Sequence, residues 1–153
     1  MRWKVAVSVI VIGLGLNGQD PMLGPGRDCG FSEFDARRIA HFVERSAVIK
    51  VTPDYPPAAR DRGMGGLVCV RVLINKRGFV ERTCPVFAQR GGKPDRSLVV
   101  AAEGAALHWM FEPNFGLEPV GNVRFDYAQG VIAFNFDPPG SDRGEIGDGE
   151  GCP

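Results

Sequence analysis

Residues 66–87 read GLVCVRVLINKRGFVERTCPVF. Val68, Val70, Val72 and Ile74 alternate with Leu67, Cys69, Arg71 and Leu73. That period of two in a β-branched run is the pattern of a half-buried strand. Asn75, Lys76, Arg77 and Gly78 are turn residues, with Gly78 placed to take a positive φ at the close of a type I turn. Phe79 to Phe87 then run back as a second strand. Pro85 has no N–H to give to a ladder, so it belongs near that strand's end or on a sheet edge. The stretch is an antiparallel hairpin with one apolar face.

A four-residue loop sets Ile74 opposite Phe79, and the same register brings Cys69 opposite Cys84. Val80 and Thr83 both suit the core face only if a bulge lies between them, which slides the register by a residue or two. In either register both thiols lie on the face away from the valines. They are either two small half-buried hydrophobes or a disulfide, and the compartment decides between these.

The N-terminus addresses the compartment. Arg2 and Lys4 precede an apolar run from Val5 to Leu16, followed by Asn17, Gly18, Gln19 and Asp20. A basic start, a short apolar segment and a small residue at a cleavage point predict a secretory signal over residues 1–18. A spanning helix needs roughly 20 apolar residues, so a retained inner-membrane anchor facing the periplasm is the alternative. The expected location is periplasmic or secreted, where disulfides form. Four cysteines allow three connectivities. The hairpin register favours Cys69 with Cys84, which leaves Cys29 with Cys152. The chain is 153 residues long with 44% hydrophobic and 24% charged residues, enough for one small folded domain. Its formal net charge is zero, so nothing points to nucleic acid.

Residues 19–52 read as a Gly/Pro-rich leader and an extra helix. Ser32 is a fair N-cap, Glu33 and Asp35 suit a first turn, and Phe34, Ile39, Phe42 and Val43 form an apolar stripe. That predicts a helix over 32–45, with a short strand over 47–51. Pro57 opens a helix through Ala58, Ala59 and Arg60, which ends at Gly63. Asp95 caps a second helix over 96–109, with Leu98, Ala102, Ala105 and Trp109 on its apolar stripe. Val123, Phe125 and Tyr127 alternate, as do Ile132, Phe134 and Phe136, predicting one long interrupted strand or a short hairpin. Residues 137–153 form a flexible acidic tail.

Residues 53–136 resemble the C-terminal domain of TonB, the energy transducer of outer-membrane receptors. Tyr55-Pro56 with Ala59-Arg60 is similar to that family's helix opening. The alternating run Gly66 to Ile74 resembles its long strand, and Gly78-x-Val80 its turn and return. Ala101-Ala102, Trp109-x-Phe111-x-Pro113, Gly116 and Pro119-Val120 follow in the family's order. The resemblance implies an α+β fold, a small antiparallel sheet with two helices on one face, to which this chain adds the N-terminal helix. It also implies docking of a protein or peptide partner, such as a TonB-dependent outer-membrane receptor, by strand addition. The docking residues would be Val123, Phe125 and Tyr127 on the final strand. The extra helix from Ser32 to Arg45, whose apolar stripe must be buried, could cover that edge. The alternative is a stand-alone secreted, disulfide-bonded interaction module without energy coupling. A second copy of the chain, forming a homodimer, is a further candidate partner, and the membrane is one only if the N-terminal segment stays uncleaved.

No catalytic constellation is visible, and the chain is not expected to be an enzyme. His41 lies beside an apolar stripe, His108 has no nucleophile near it, and Ser46, Ser97 and Ser141 occupy no elbow motif. Asp142, Glu145, Asp148 and Glu150 do not have calcium-loop spacing. Gly63, Gly65 and Gly66 lead into a strand, whereas a phosphate loop leads into a helix. No cofactor and no metal are expected.

Overall fold

The fold is taken from a computed structural model, which describes residues 29–31, 34, 36–39, 43–87, 93–140 and 152. The expected signal segment and the acidic stretch before Cys152 lie outside the described residues, as do Ser32, Glu33, Asp35, His41 and Phe42.

The hairpin forms as β3, Gly66–Asn75, and β4, Val80–Val86. Its turn closes with the Gly78 N–H donating to the Asn75 carbonyl at 2.9 Å, and Gly78 has φ 84°. The Asn75 side-chain oxygen accepts from the Arg77 and Phe79 N–H groups at 2.9 and 3.1 Å, an Asx turn that fixes the corner. Leu73 pairs with Arg82 but Ile74 with Val80, so Glu81 is the extra residue of a bulge. The bulge puts Val80 and Thr83 on the same face as the valines, as expected from the sequence. It also sets Cys69 opposite Val86 and Arg71 opposite Cys84. β4 is an outer strand, which accommodates Pro85.

β6, Tyr127–Phe136, lies antiparallel along the whole of β3, from Gly66 opposite Phe136 to Asn75 opposite Tyr127. Val68, Val70, Val72, Ile74, Ile132 and Phe134 all point to one face and are buried. Two helices cover that face: α1, Pro57–Asp61, through Ala59, and α2, Arg96–Ala106, through Leu98, Ala102, Ala105 and Ala106. Small residues on α2 let it sit close to the sheet. Asp95 caps α2 by accepting from the Ser97 N–H at 2.9 Å, and it also meets Arg62 just beyond α1 at 3.2 Å. The Ser97 bonds, and then Arg62, hold its carboxyl below the usual aspartate range. Trp109 packs edge-to-face on Phe134 and donates its indole N–H to the Val51 carbonyl at 2.8 Å. β2, Ala47–Ile49, and β5, Met110–Phe111, form a small antiparallel pair beside this core. No helix among the described residues is long and apolar enough to cross a membrane.

The expected helix over 32–45 is not formed. Ala36–Arg38 is instead a strand, β1, paired parallel to β6, and Val43–Ser46 is a single 3₁₀ turn. The sheet is therefore mixed, in the order β1-β6-β3-β4. Tertiary contact overrides local preference here. Ala36, Arg37 and Arg38 are good helix formers, yet β6 has an outer edge whose backbone groups a strand can satisfy and a helix cannot. The apolar residues of the supposed stripe are used separately. Val43 and Ile39 join the main core, and Phe34 packs edge-to-face on Tyr127.

The second face of the sheet carries Cys69, Arg71, Leu73 and Cys84. Phe31 and Leu73 are fully buried outside the main core cluster, so the segment around Phe31 shields this face. The expected disulfide pairing is corrected. The bonds are Cys29–Cys84 and Cys69–Cys152, with Cα atoms 5.9 and 5.7 Å apart. The turn and the bulge at Glu81 together are the physical reason. The turn pairs Ile74 with Val80 instead of Phe79 and the bulge adds one more residue, so Cys84 lies opposite Arg71 and each hairpin thiol reaches a terminal segment instead.

Candidate functional site

In a strand paired on one side, the backbone groups of alternate residues point outward. For β6 these are the odd-numbered residues. The Gln129 carbonyl accepts from the Ile39 N–H at 2.8 Å, and the Ala133 N–H donates to the Glu44 carboxylate at 2.6 Å. Neither partner belongs to β3. β1 thus occupies the outer edge only from Tyr127 to Gln129. Beyond it, at Val131, Ala133 and Asn135, no strand pairs with that edge among the described residues.

Two elements bring Glu44 to this place. The 3₁₀ turn Val43–Ser46 sits on the helical face of the sheet, and Val43 lies directly over Gly130, where an added Cβ would be 2.3 Å from a Val43 methyl. With Val43 seated there, the Glu44 side chain reaches round the sheet edge to the Ala133 N–H. A side chain, rather than a strand, thereby satisfies one outward donor. β1 is fastened separately by Arg37, which donates to the Glu118 carboxylate at 2.8 Å and the Glu118 carbonyl at 3.0 Å.

The other sheet edge is poorly suited to pairing. β4 has lost a donor at Pro85 and exposes the charged Glu81 and Arg82, devices that discourage strand addition. The Val131–Asn135 stretch carries neither proline nor charge.

The residues expected to dock a partner are not together on the strand. Tyr127 is the first residue of β6, already paired with Asn75 on one side and Ala36 on the other. The negative charge of Glu81, then burial, raise its phenol pKa above the usual tyrosine value. Val123 and Phe125 precede the strand: Val123 forms a small bridge with Val120 and is 55% exposed. The alternation of Val123, Phe125 and Tyr127 is broken because Val120–Val123 closes into a turn and Asp126 pairs with Lys76 at 2.6 Å. The outward residues of this edge, Val131, Ala133 and Asn135, and Glu44 beside them, were not singled out in the sequence. The same alternation that marks Ile132, Phe134 and Phe136 as inward identifies their neighbours as outward, but no pattern announces that Glu44 would reach Ala133.

Among the solved structures that the chain is similar to is the solution NMR structure of Pseudomonas aeruginosa TonB CTD, 24% identical, with a TM-score of 0.45, covering 61% of this chain and 85% of that one. No protein-family model and no curated protein matches the chain.

Among the described residues no three His, Cys, Asp or Glu side chains gather where they could hold a metal. Glu103, on α2, is raised above the usual glutamate range by burial, against the opposing bond from the Thr83 hydroxyl at 3.4 Å. It faces Thr83 on β4.

Proposed function

We propose that this chain is a binding protein, not an enzyme, that docks an extended peptide by adding it as a strand to β6 at Val131–Asn135. The observation that carries this reading is the outer edge of β6 itself. It already accepts one strand, β1, over three residues, and continues past it with uncharged, proline-free backbone. Backbone pairing supplies affinity in such complexes, and pockets for alternate side chains supply specificity. The spaced motifs of residues 53–136 support a partner of the TonB kind, a segment of an outer-membrane receptor met in the periplasm during TonB-dependent transport.

A test places a photo-crosslinking residue at position 135 in intact cells, with and without Val131→Pro. Val131 turns its N–H outward, so proline there removes a docking donor while leaving the β3 ladder in place. The expected result is a crosslink to an outer-membrane receptor segment that falls about tenfold or more in the proline variant, the loss of a hydrogen bond plus a clash at the edge. Equal crosslinking with and without proline contradicts the reading.

One observation favours the second reading, a stand-alone disulfide-bonded interaction module. Both terminal segments are bonded onto the sheet, through Cys29–Cys84 and Cys69–Cys152. A crosslinked partner that is a secreted or periplasmic protein rather than a receptor selects it.

A further inference from the structure

Residues 112–126 connect β5 to β6 without a helix or strand, apart from a bridge between Val120 and Val123. Connections longer than about 12–15 residues without secondary structure are uncommon in compact domains and are usually functional. This one is held in a fixed shape. The Lys76 carbonyl accepts from the Asn114 N–H at 2.8 Å, and the Lys76 ammonium pairs with Asp126 at 2.6 Å. One residue of the hairpin turn thus fastens both ends of the loop. Within it, the Phe115 and Leu117 N–H groups donate to the Glu112 and Asn114 carbonyls, both at 3.0 Å.

Between this loop and the hairpin turn lies a cavity of about 490 Å³, within the size range of ligand pockets. Its apolar lining comes from Pro113, Leu117, Pro119 and Phe125. Charged side chains of both signs line it too, and most are already paired. Lys76 and Asp126 hold each other, and Glu118 holds Arg37 at 2.8 Å. Arg124 is left over, exposed and with no ion pair among the described residues. At the loop tip between Pro119 and Arg124, Val120 and Val123 are both more than half exposed, at 54% and 55%. Phe125 therefore belongs to the wall of this cavity and Val123 to its mouth.

We propose that the cavity binds the carboxy terminus of a partner peptide whose last residue is apolar. Arg124 takes the terminal carboxylate, and Leu117, Pro119 and Phe125 take the side chain. An unpaired guanidinium calls for an anion, and its planar fork suits a carboxylate. Arg124 and Phe125 are chain neighbours, so the anion and the apolar group must come from nearly the same place on the ligand. A carboxy-terminal residue carries both on one Cα. An internal glutamate beside a leucine does not, because neighbouring side chains of an extended peptide point to opposite sides. The exposed valines at the mouth offer apolar surface to the preceding residues of a peptide, which a free small acid would leave uncovered. Because the loop is already fixed, little ordering opposes binding. The site adjoins the start of β6, at the far end from Asn135, and does not depend on strand addition there.

The test uses the full disulfide-bonded protein and a fluorescent five-residue peptide, Gly-Thr-Ser-Thr-Leu, with its carboxy terminus free or amidated. Fluorescence anisotropy is expected to give about tenfold tighter binding of the free acid at low salt, the size of a charge-assisted hydrogen bond. Glycine in place of the last leucine should weaken binding by about tenfold, for the lost apolar burial. Arg124→Gln should cut the preference for the acid to about twofold or less, and Arg124→Lys should keep part of it. Thermal unfolding confirms that both variants are folded. Equal binding of acid and amide overturns the proposal, as does a preference that survives Arg124→Gln, or no binding of either peptide. If isocaproate, which carries leucine's side chain, displaces the peptide with equal affinity, the ligand is a small apolar acid and the peptide terminus is wrong. If an amidated peptide with an internal glutamate binds as tightly as the free acid, the carboxylate is a side chain and the proposal is equally wrong.

Discussion

Three residues decide how the β6 edge is presented. Gly130 is required because Val43 occupies the space of its missing side chain. Gly130→Ala should therefore cost about 1–3 kcal/mol of stability, measured by chemical denaturation, since Val43 has to leave a fully packed site. Glu44 holds the Ala133 donor that an incoming strand would need. Glu44→Ala should lower the stability of the free protein by about 1–2 kcal/mol, measured by chemical denaturation, yet strengthen the crosslink at position 135 a few-fold. Glu103 offers a check by pH. Its folded carboxyl pKa is raised, so the stability it contributes is complete below the ordinary glutamate value of 4.5 and is lost as pH rises through the raised value. Glu103→Gln should thus be more stable than the parent at pH 7 and equal to it at pH 4, by thermal unfolding at the two pH values. Gly78 was legible from the sequence, because a tight turn demands a positive φ and little else supplies it. Gly130 and Glu44 were not, because their roles come from residues far away in the chain.

At the scale of elements, the hairpin, α2 and β6 follow from periodicity and α1 from Pro57 and the alanines after it, but α2 stops at Ala106, so Trp109 lies beyond it, and β6 begins only at Tyr127. The bulge at Glu81 was also readable, because Val80 and Thr83 could not otherwise share a face. The N-terminal segment was misread for a physical reason. Its helical spacing is real, but a segment bonded at Cys29 to Cys84 is drawn across the sheet and finds the β6 edge within reach. That makes the disulfide a clamp on β1. Non-reduced peptide mapping should recover peptides joining Cys29 to Cys84 and Cys69 to Cys152; a peptide joining Cys69 to Cys84 contradicts this topology. Cys29→Ser with Cys84→Ser should cost about 4 kcal/mol on loop-closure grounds for a separation of 55 residues. It should also raise exchange at the β1-bonded amides more than in the β3–β6 ladder.

Taken whole, the four-stranded sheet has two unlike edges and two unlike faces. Helices cover one face, and the other carries the two disulfides, Cys29–Cys84 and Cys69–Cys152, with Phe31 buried beside them. One edge, β4, is guarded by proline and charge, while the other, β6, is only partly filled by β1. The sequence could show that a sheet of this kind exists and that a strand edge is the place to look. It could not show which part of the edge is left without a paired strand among the described residues, since that depends on where β1 stops and where Glu44 reaches. The claim that matters most is that a partner pairs with the outward groups of Val131–Asn135. Residue-resolved hydrogen exchange, with and without an extended peptide of alternating valine and threonine, measures this directly. The Val131 and Asn135 amides should exchange quickly in the free protein and be slowed when the peptide binds, while Ile132 and Phe134, bonded to β3, are slow in both. Unchanged exchange at Val131 and Asn135 under saturating peptide, with new protection on β4 or β2 instead, would contradict it.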